Sequence, residues 1–146
     1  MYESLILSIL LYGSESWCLT EDLPRLLKSF HYRCVRSMCR VSMSDVFDKR
    51  KTTKTLLDRL ELKSLDSYVV IRQLRWAGHV ARMGMDRLPR KMLSSWVTNK
   101  RLVGSPEITY GRALFKALKK ANVDTKHWFE IAMDRVEWRD ILSNVS

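Results

Sequence analysis

The sequence predicts an all-α protein of about six helices, and three observations carry that expectation. Apolar residues recur at steps of three and four along most of the chain. No stretch alternates with period two for long enough to make a strand, and residues that start and stop helices stand where the apolar runs begin and end. Two of the expected helices are long, basic and amphipathic, and they should pack together ahead of a C-terminal helical subdomain.

Residues 1–19 form the first region. Met1 to Trp17 starts directly in an apolar run, with Leu5, Ile6, Ile9, Leu10 and Tyr12 at helical spacing, and Gly13 and Ser14 break it so that Trp17 can anchor a turn. An uncapped apolar start reads as though the chain begins inside a larger protein.

A central helical region spans 20–96. Thr20, Glu21, Asp22 and Pro24 suit the start of a helix over 22–40. Its apolar stripe is Leu23, Leu26, Leu27, Phe30, Cys34, Val35 and Met38, and its cationic stripe is Arg25, Lys28, Arg33, Arg36 and Arg40. Residues 42–54 read as a loop ending in a basic cluster, Lys49, Arg50, Lys51 and Lys54, which is either a nuclear localisation patch, a phosphate contact or plain solvated charge. A short helix over 53–60, capped by Thr52 or Thr53, turns Leu56, Leu57 and Leu60 inward.

The helix over 64–83 organises the rest. Ser64 suits an N-cap, Asp66 the first turn, and Gly84 a stop. Leu65, Tyr68, Val69, Leu74, Ala77, Val80 and Ala81 make its core face, whereas Arg72, Arg75, His79 and Arg82 recur along another side. Pro89 then opens a short helix through Trp96.

Residues 97–108 are a connector containing Lys100 and Arg101, and 109–146 are the helical subdomain, with Thr109, Asp124 and Asp134 as its caps.

Composition narrows the function. Twenty-six Lys and Arg face sixteen Asp and Glu, a formal charge of +10 spread along the chain, which favours a polyanionic partner, RNA or DNA, over ordinary solubilising charge. Three cysteines with no secretory leader point to an intracellular protein, nuclear or cytoplasmic rather than secreted. The apolar run Leu5 to Leu11 is far short of the roughly 20 residues of a membrane span, so no membrane partner is expected. Nothing in the sequence suggests a small-molecule substrate.

The candidate interface is therefore cationic. Arginine carries a fixed charge and a planar fork suited to phosphate, and a three-and-four spacing keeps successive groups on one strip. Arg33, Arg36, Arg40, Arg72, Arg75, His79 and Arg82, with Lys100 and Arg101 in the connector, are the expected backbone contacts, and the two helical rows should merge into one surface. Tyr32 and Trp76 lie beside these rows and serve either as core residues or as stacking platforms. His31, Cys34 and Cys39, joined by Cys18 or His79, could supply zinc ligands, but their spacing matches no closed zinc module, and buried cysteines acting as small hydrophobes explain them better. Asp134, Glu137 and Asp140 stand among Arg135 and Arg139 at helix ion-pair spacing, which suits structural pairing better than metal chemistry. There is no Walker loop, dinucleotide fingerprint or catalytic triad.

The order of short motifs adds to this. YGSESW at Tyr12 to Trp17, LLKSFHYRCVRSM at Leu26 to Met38, RQLRWAGHVARM at Arg72 to Met83, RLP at Arg87 to Pro89, KRLVGSP at Lys100 to Pro106 and DRVEWR at Asp134 to Arg139 follow one another. In that order the chain resembles the region after the polymerase palm in reverse transcriptases of non-LTR, LINE-type retrotransposons. The resemblance covers nearly the whole chain and implies the end of a thumb followed by a helical region that helps hold element RNA or a primer–template duplex, in contact with the rest of the enzyme.

That family's palm carries paired aspartates in a FADD- or YADD-like motif, where its magnesium ions bind, and neither string occurs here. Polymerase activity and a resident cofactor are accordingly not expected of this chain by itself. The family's Gly-Arg-Pro is replaced by Gly104, Ser105 and Pro106, which removes one connector cation. The alternative to nucleic-acid binding is a structural or protein-interaction remnant of the same polyprotein.

Overall fold

A computed structural model describes residues 1–18, 22–48, 52–98 and 110–145. All regular structure among them is helical, with no strand. Tyr2–Leu7 is wound as a π-helix that runs into α1 (Ser8–Leu10), and a 3-10 turn follows at Ser14–Ser16. Then come α2 (Asp22–Met38), α3 (Met43–Asp48), α4 (Thr53–Arg59), α5 (Leu65–Ala81), α6 (Leu88–Thr98), α7 (Tyr110–Lys120), α8 (Trp128–Met133) and α9 (Arg135–Ser143). The described residues thus hold nine α-helical segments rather than about six, mainly because several are a turn or two long. The basic cluster Lys49 to Lys51, the Thr109 cap and most of the connector, Lys100 and Arg101 included, lie outside the described residues.

The chain forms two units. The larger comprises Met1–Leu19 and Val69–Val145, and the smaller, Thr20–Tyr68, lies between those two stretches in sequence. Helix α5 gives its first turn to the smaller unit and the remainder to the larger.

In the larger unit, Leu74, Ala77 and Val80 of α5 are fully buried, and Leu93, Leu114, Leu118, Trp128 and Trp138 close around them. Gly78 sits on the same face because the Trp138 indole lies against it, donating from Nε1 to the Leu74 carbonyl at 3.1 Å. A side chain at 78 has no room.

The smaller unit packs Val35 and Val41 against Leu56 and Leu57, with Tyr32, Cys39, Leu60 and Leu62 at the margin. Its unexpected member is His31, which is completely buried on α2. Of the apolar stripe expected on α2, Val35 is fully buried, but Leu23, Leu26, Phe30 and Met38 are each more than 40% exposed, and the buried face runs through Val35 and the unexpected His31. A polar residue at the centre of the face shifts its apparent direction. A backbone hydrogen bond to Lys63 holds the imidazole, and burial lowers its pKa below the ordinary 6.5.

The neutral form is therefore the folded form. Stability from this group is complete above pH 6.5 and is lost as pH falls from there toward the lowered folded value, with a slope of up to about 1.4 kcal/mol per pH unit for one proton. Urea melts of the wild type between pH 7.5 and 5 should show this loss, and His31→Gln should flatten it; an unchanged pH dependence in the variant would remove His31 as the cause.

The helix ends follow recognisable local chemistry. Ser64 caps α5, its Oγ accepting from Ser67 N at 3.2 Å; Thr52 caps α4; and Asp134 caps α9 through Val136 N and Glu137 N. Helix α5 stops at Ala81, before Gly84. Helix α3 replaces part of an expected loop, and Ser42 and Asp45 make a reciprocal capping box there, Ser42 N donating to Asp45 Oδ2 at 3.1 Å and Asp45 N to Ser42 Oγ at 3.2 Å. Asp124 does not cap α8 directly, since the helix starts at Trp128; it accepts from Lys126 N and pairs with His127 Nδ1 at 2.8 Å in the preceding turn.

Three helices end in one manner. Val41 N donates to Arg36 O, Leu62 N to Leu57 O and Val123 N to Leu118 O, each across five residues, with a tighter bond nested inside from Arg40, Glu61 and Asn122. Those three residues hold φ of 52°, 54° and 56°, the left-handed position that glycine usually fills in a Schellman end.

The N-terminal stretch leaves much of its apolar run uncovered. Leu5, Ile6, Ile9 and Tyr12 face solvent, Ile9 at 75% and Tyr12 at 84% exposure, whereas Leu7, Leu11 and Ser14 are buried. The π-winding of Tyr2–Leu7 adds a residue to the turn and so rotates the phase that a 3.6-residue period implies.

Candidate nucleic-acid interface

The four basic residues of α5 and its C-terminal end, Arg72, Arg75, His79 and Arg82, stand in two different conditions. Arg72 is partly buried: its Nη1 donates to the Leu11 carbonyl at 3.2 Å and lies 3.6 Å from the Glu15 carboxylate. Beside it, Gln73 donates to the Trp17 carbonyl at 3.0 Å. These consecutive side chains fasten the Gly13–Trp17 turn, where Gly13 takes φ 70°, onto α5. Arg82 donates to the Ala132 carbonyl near the end of α8, where helix carbonyls lack partners, and both burial and nearby Arg135 lower its pKa.

Arg75 and His79, in contrast, are exposed and pair with no carboxylate among the described residues. Four residues apart, they stand on one strip about 6 Å apart along the helix axis.

On α2, Lys28 is tied to Asp66 at 2.7 Å, while Arg33 is exposed, Arg36 half-buried and Arg40 exposed just past the helix end. None of Arg33, Arg36 and Arg40 has a carboxylate partner among the described residues. The α2 row belongs to the smaller unit and the α5 row to the larger, and each is a cationic strip by itself.

Arg40 allows charge and fold to be separated. Its left-handed backbone costs a non-glycine residue roughly 1–2 kcal/mol. Arg40→Gly should therefore stabilise the smaller unit by about 1 kcal/mol, seen as a higher urea midpoint, while weakening polyanion binding. A drop in stability would show that the side chain packs in a way its exposure does not suggest.

The larger unit also carries a cationic face outside the expected contacts. Arg112, Lys116, Lys119 and Lys120 are all exposed on α7, and no acidic residue occurs from Tyr110 to Lys120. The signal was present in the spacing. Arg90 points elsewhere, its guanidinium lying 4.2 Å over the Phe129 ring.

The aromatic residues beside the rows have core duties. Tyr32 packs on the smaller core, and Trp76 packs on the larger one with its ring edge-to-face with Tyr110, centroids 5.5 Å apart. Trp76 also lines a cleft of about 490 Å³ with Arg72, Arg75, Glu15 and Ser16.

Cys18, Cys34 and Cys39 are free thiols, and no three His, Cys, Asp or Glu side chains among the described residues gather at metal-binding spacing. No described helix is long and apolar enough to cross a membrane.

The basic helix faces of both units are poor in carboxylate partners among the described residues. The chain is similar to a Caenorhabditis elegans protein described as transposon-derived and uncharacterized, with 26% identity over 146 residues, 97% of this chain. It spans about half of that relative, 52% of its length. No family model and no solved structure matches the chain.

Proposed function

We propose that this chain is the nucleic-acid-binding, non-catalytic part of a non-LTR retrotransposon reverse transcriptase, holding RNA or primer–template backbone through arginine and lysine. The observation that carries the reading is the set of exposed basic side chains without carboxylate partners among the described residues: Arg33 and Arg40 on the smaller unit, and Arg75 and His79 on the larger. Arg36 joins the first pair, and Lys100 and Arg101 belong to the same proposal from the sequence alone. The ordered motifs from YGSESW to DRVEWR and the transposon-derived relative support the origin. Such contacts position a strand without reading its sequence.

Titrating the protein with a labelled RNA hairpin at 50 and 200 mM salt tests this. Affinity should fall steeply, on the order of a hundredfold for a few phosphate contacts, and equally for unrelated sequences. Weak binding that ignores salt would refute it.

A second reading, a structural or protein-interaction element of the same polyprotein, is favoured by exposed Leu5, Ile9 and Tyr12. Salt-independent behaviour combined with concentration-dependent self-association would select it.

A further inference from the structure

We infer that the cleft between the Gly13–Trp17 turn and α5 receives one unpaired base of a single-stranded nucleic acid, an inference that rests on the nucleic-acid reading and adds strand selectivity to it. The cleft is lined by Glu15, Ser16, Arg72, Arg75 and Trp76, and at about 490 Å³ it falls within the range of small-ligand sites. Its walls are pre-set. The Trp76 indole is fixed by core packing and by Tyr110, whose ring lies at 83° to it. Arg72 is fixed by the Leu11 carbonyl and Glu15. Neither wall must be ordered when a ligand arrives, so little binding energy is spent on ordering.

The lining divides by chemistry in the way a nucleotide does. Trp76 offers an apolar aromatic wall for a base, and base–aromatic contact tolerates any sequence. Arg75, exposed and without a carboxylate partner among the described residues, supplies a cation for the adjoining phosphate. Glu15 and Ser16 place polar oxygens where a base edge would lie, the carboxylate able to accept from an exocyclic amine. A base locked in a duplex cannot enter such a recess without leaving its stack, so the site favours single strands, loops and ends.

The test uses the intact chain and four probes of one length or smaller: a single-stranded RNA, its duplex, a sugar–phosphate strand with every base removed, and a free nucleoside monophosphate. The single strand should bind about tenfold tighter than the base-free strand at equal salt. Trp76→Leu, checked for folding by thermal melt, should abolish that difference, and Arg75→Gln should weaken both strands. The base-free comparison needs no variant, so misfolding of Trp76→Leu leaves the test intact. Equal affinity for intact and base-free strands overturns the cleft assignment while steep salt dependence keeps the backbone reading. Binding of none of the polynucleotides overturns both. A monophosphate that binds as tightly as the strand makes the occupant a small molecule and overturns the inference as stated.

Discussion

Gly78→Ala should destabilise the larger unit by about 2–4 kcal/mol, combining overpacking, typically 1–3 kcal/mol, with the strained or broken Trp138–Leu74 hydrogen bond. A Cβ at 78 would come within 2.8 Å of Trp138 Cδ1 and 2.9 Å of Cε2, and closer still to Nε1. The indole cannot yield easily, since Trp138 is 2% exposed and packs against Trp128 at 6.4 Å between ring centroids. Gly84→Ala is the matched control. Its Cβ would meet the exposed Asp86 carboxylate, a flexible neighbour, and the change should stay within about 0.5 kcal/mol. Urea unfolding of both variants checks this, and equal midpoints would mean that α9 does not bear on α5 as described.

Arg33→Gln, Arg36→Gln and Arg75→Gln together should reduce the dependence of log affinity on log salt by about 0.9 per contact on duplex, or 0.7 on a single strand. Affinity at 50 mM salt should drop roughly ten- to a hundredfold, at about 0.5–1 kcal/mol for each lost contact. These three side chains have no carboxylate partner among the described residues, so thermal stability should be nearly unchanged. Arg72 and Arg82 make poor probes by comparison: replacing them also removes the ties to Leu11, Glu15 and Ala132, which confounds binding with folding. An unaltered salt slope in the triple variant, with its fold intact, would move the contact surface elsewhere, and α7 with Arg112, Lys116 and Lys119 would be the next face to neutralise.

Local chemistry was readable from sequence wherever a residue acts on its own neighbours. Ser64, Thr52 and Asp134 cap the helices they were expected to cap, because a side-chain oxygen reaches an amide two or three residues away regardless of the rest of the fold. Ser42 with Asp45 carried the same signal, hidden by the polar residues around it.

What sequence could not show was which apolar face finds a cover. Helix α2 has a clear stripe, yet a unit of this size covers only the arc around His31 and Val35, leaving Leu26 at 69% exposure. Periodicity equally could not separate Arg75 from Arg72. Three residues apart on one helix, one stays in solvent and the other reaches back 61 residues to Leu11.

The larger unit is assembled from two stretches of chain that flank the smaller one, and this has a consequence for synthesis on the ribosome. Leu11 emerges 61 residues ahead of the Arg72 guanidinium that meets its carbonyl. At about 5–20 residues per second the first stretch waits roughly 3–12 seconds for that contact, and longer for the rest of the core. Meanwhile the smaller unit has all its residues and can fold first. Nascent chains stalled once Tyr68 has cleared the ribosome should thus display a protease-resistant smaller unit, with the stretch before it still open to digestion.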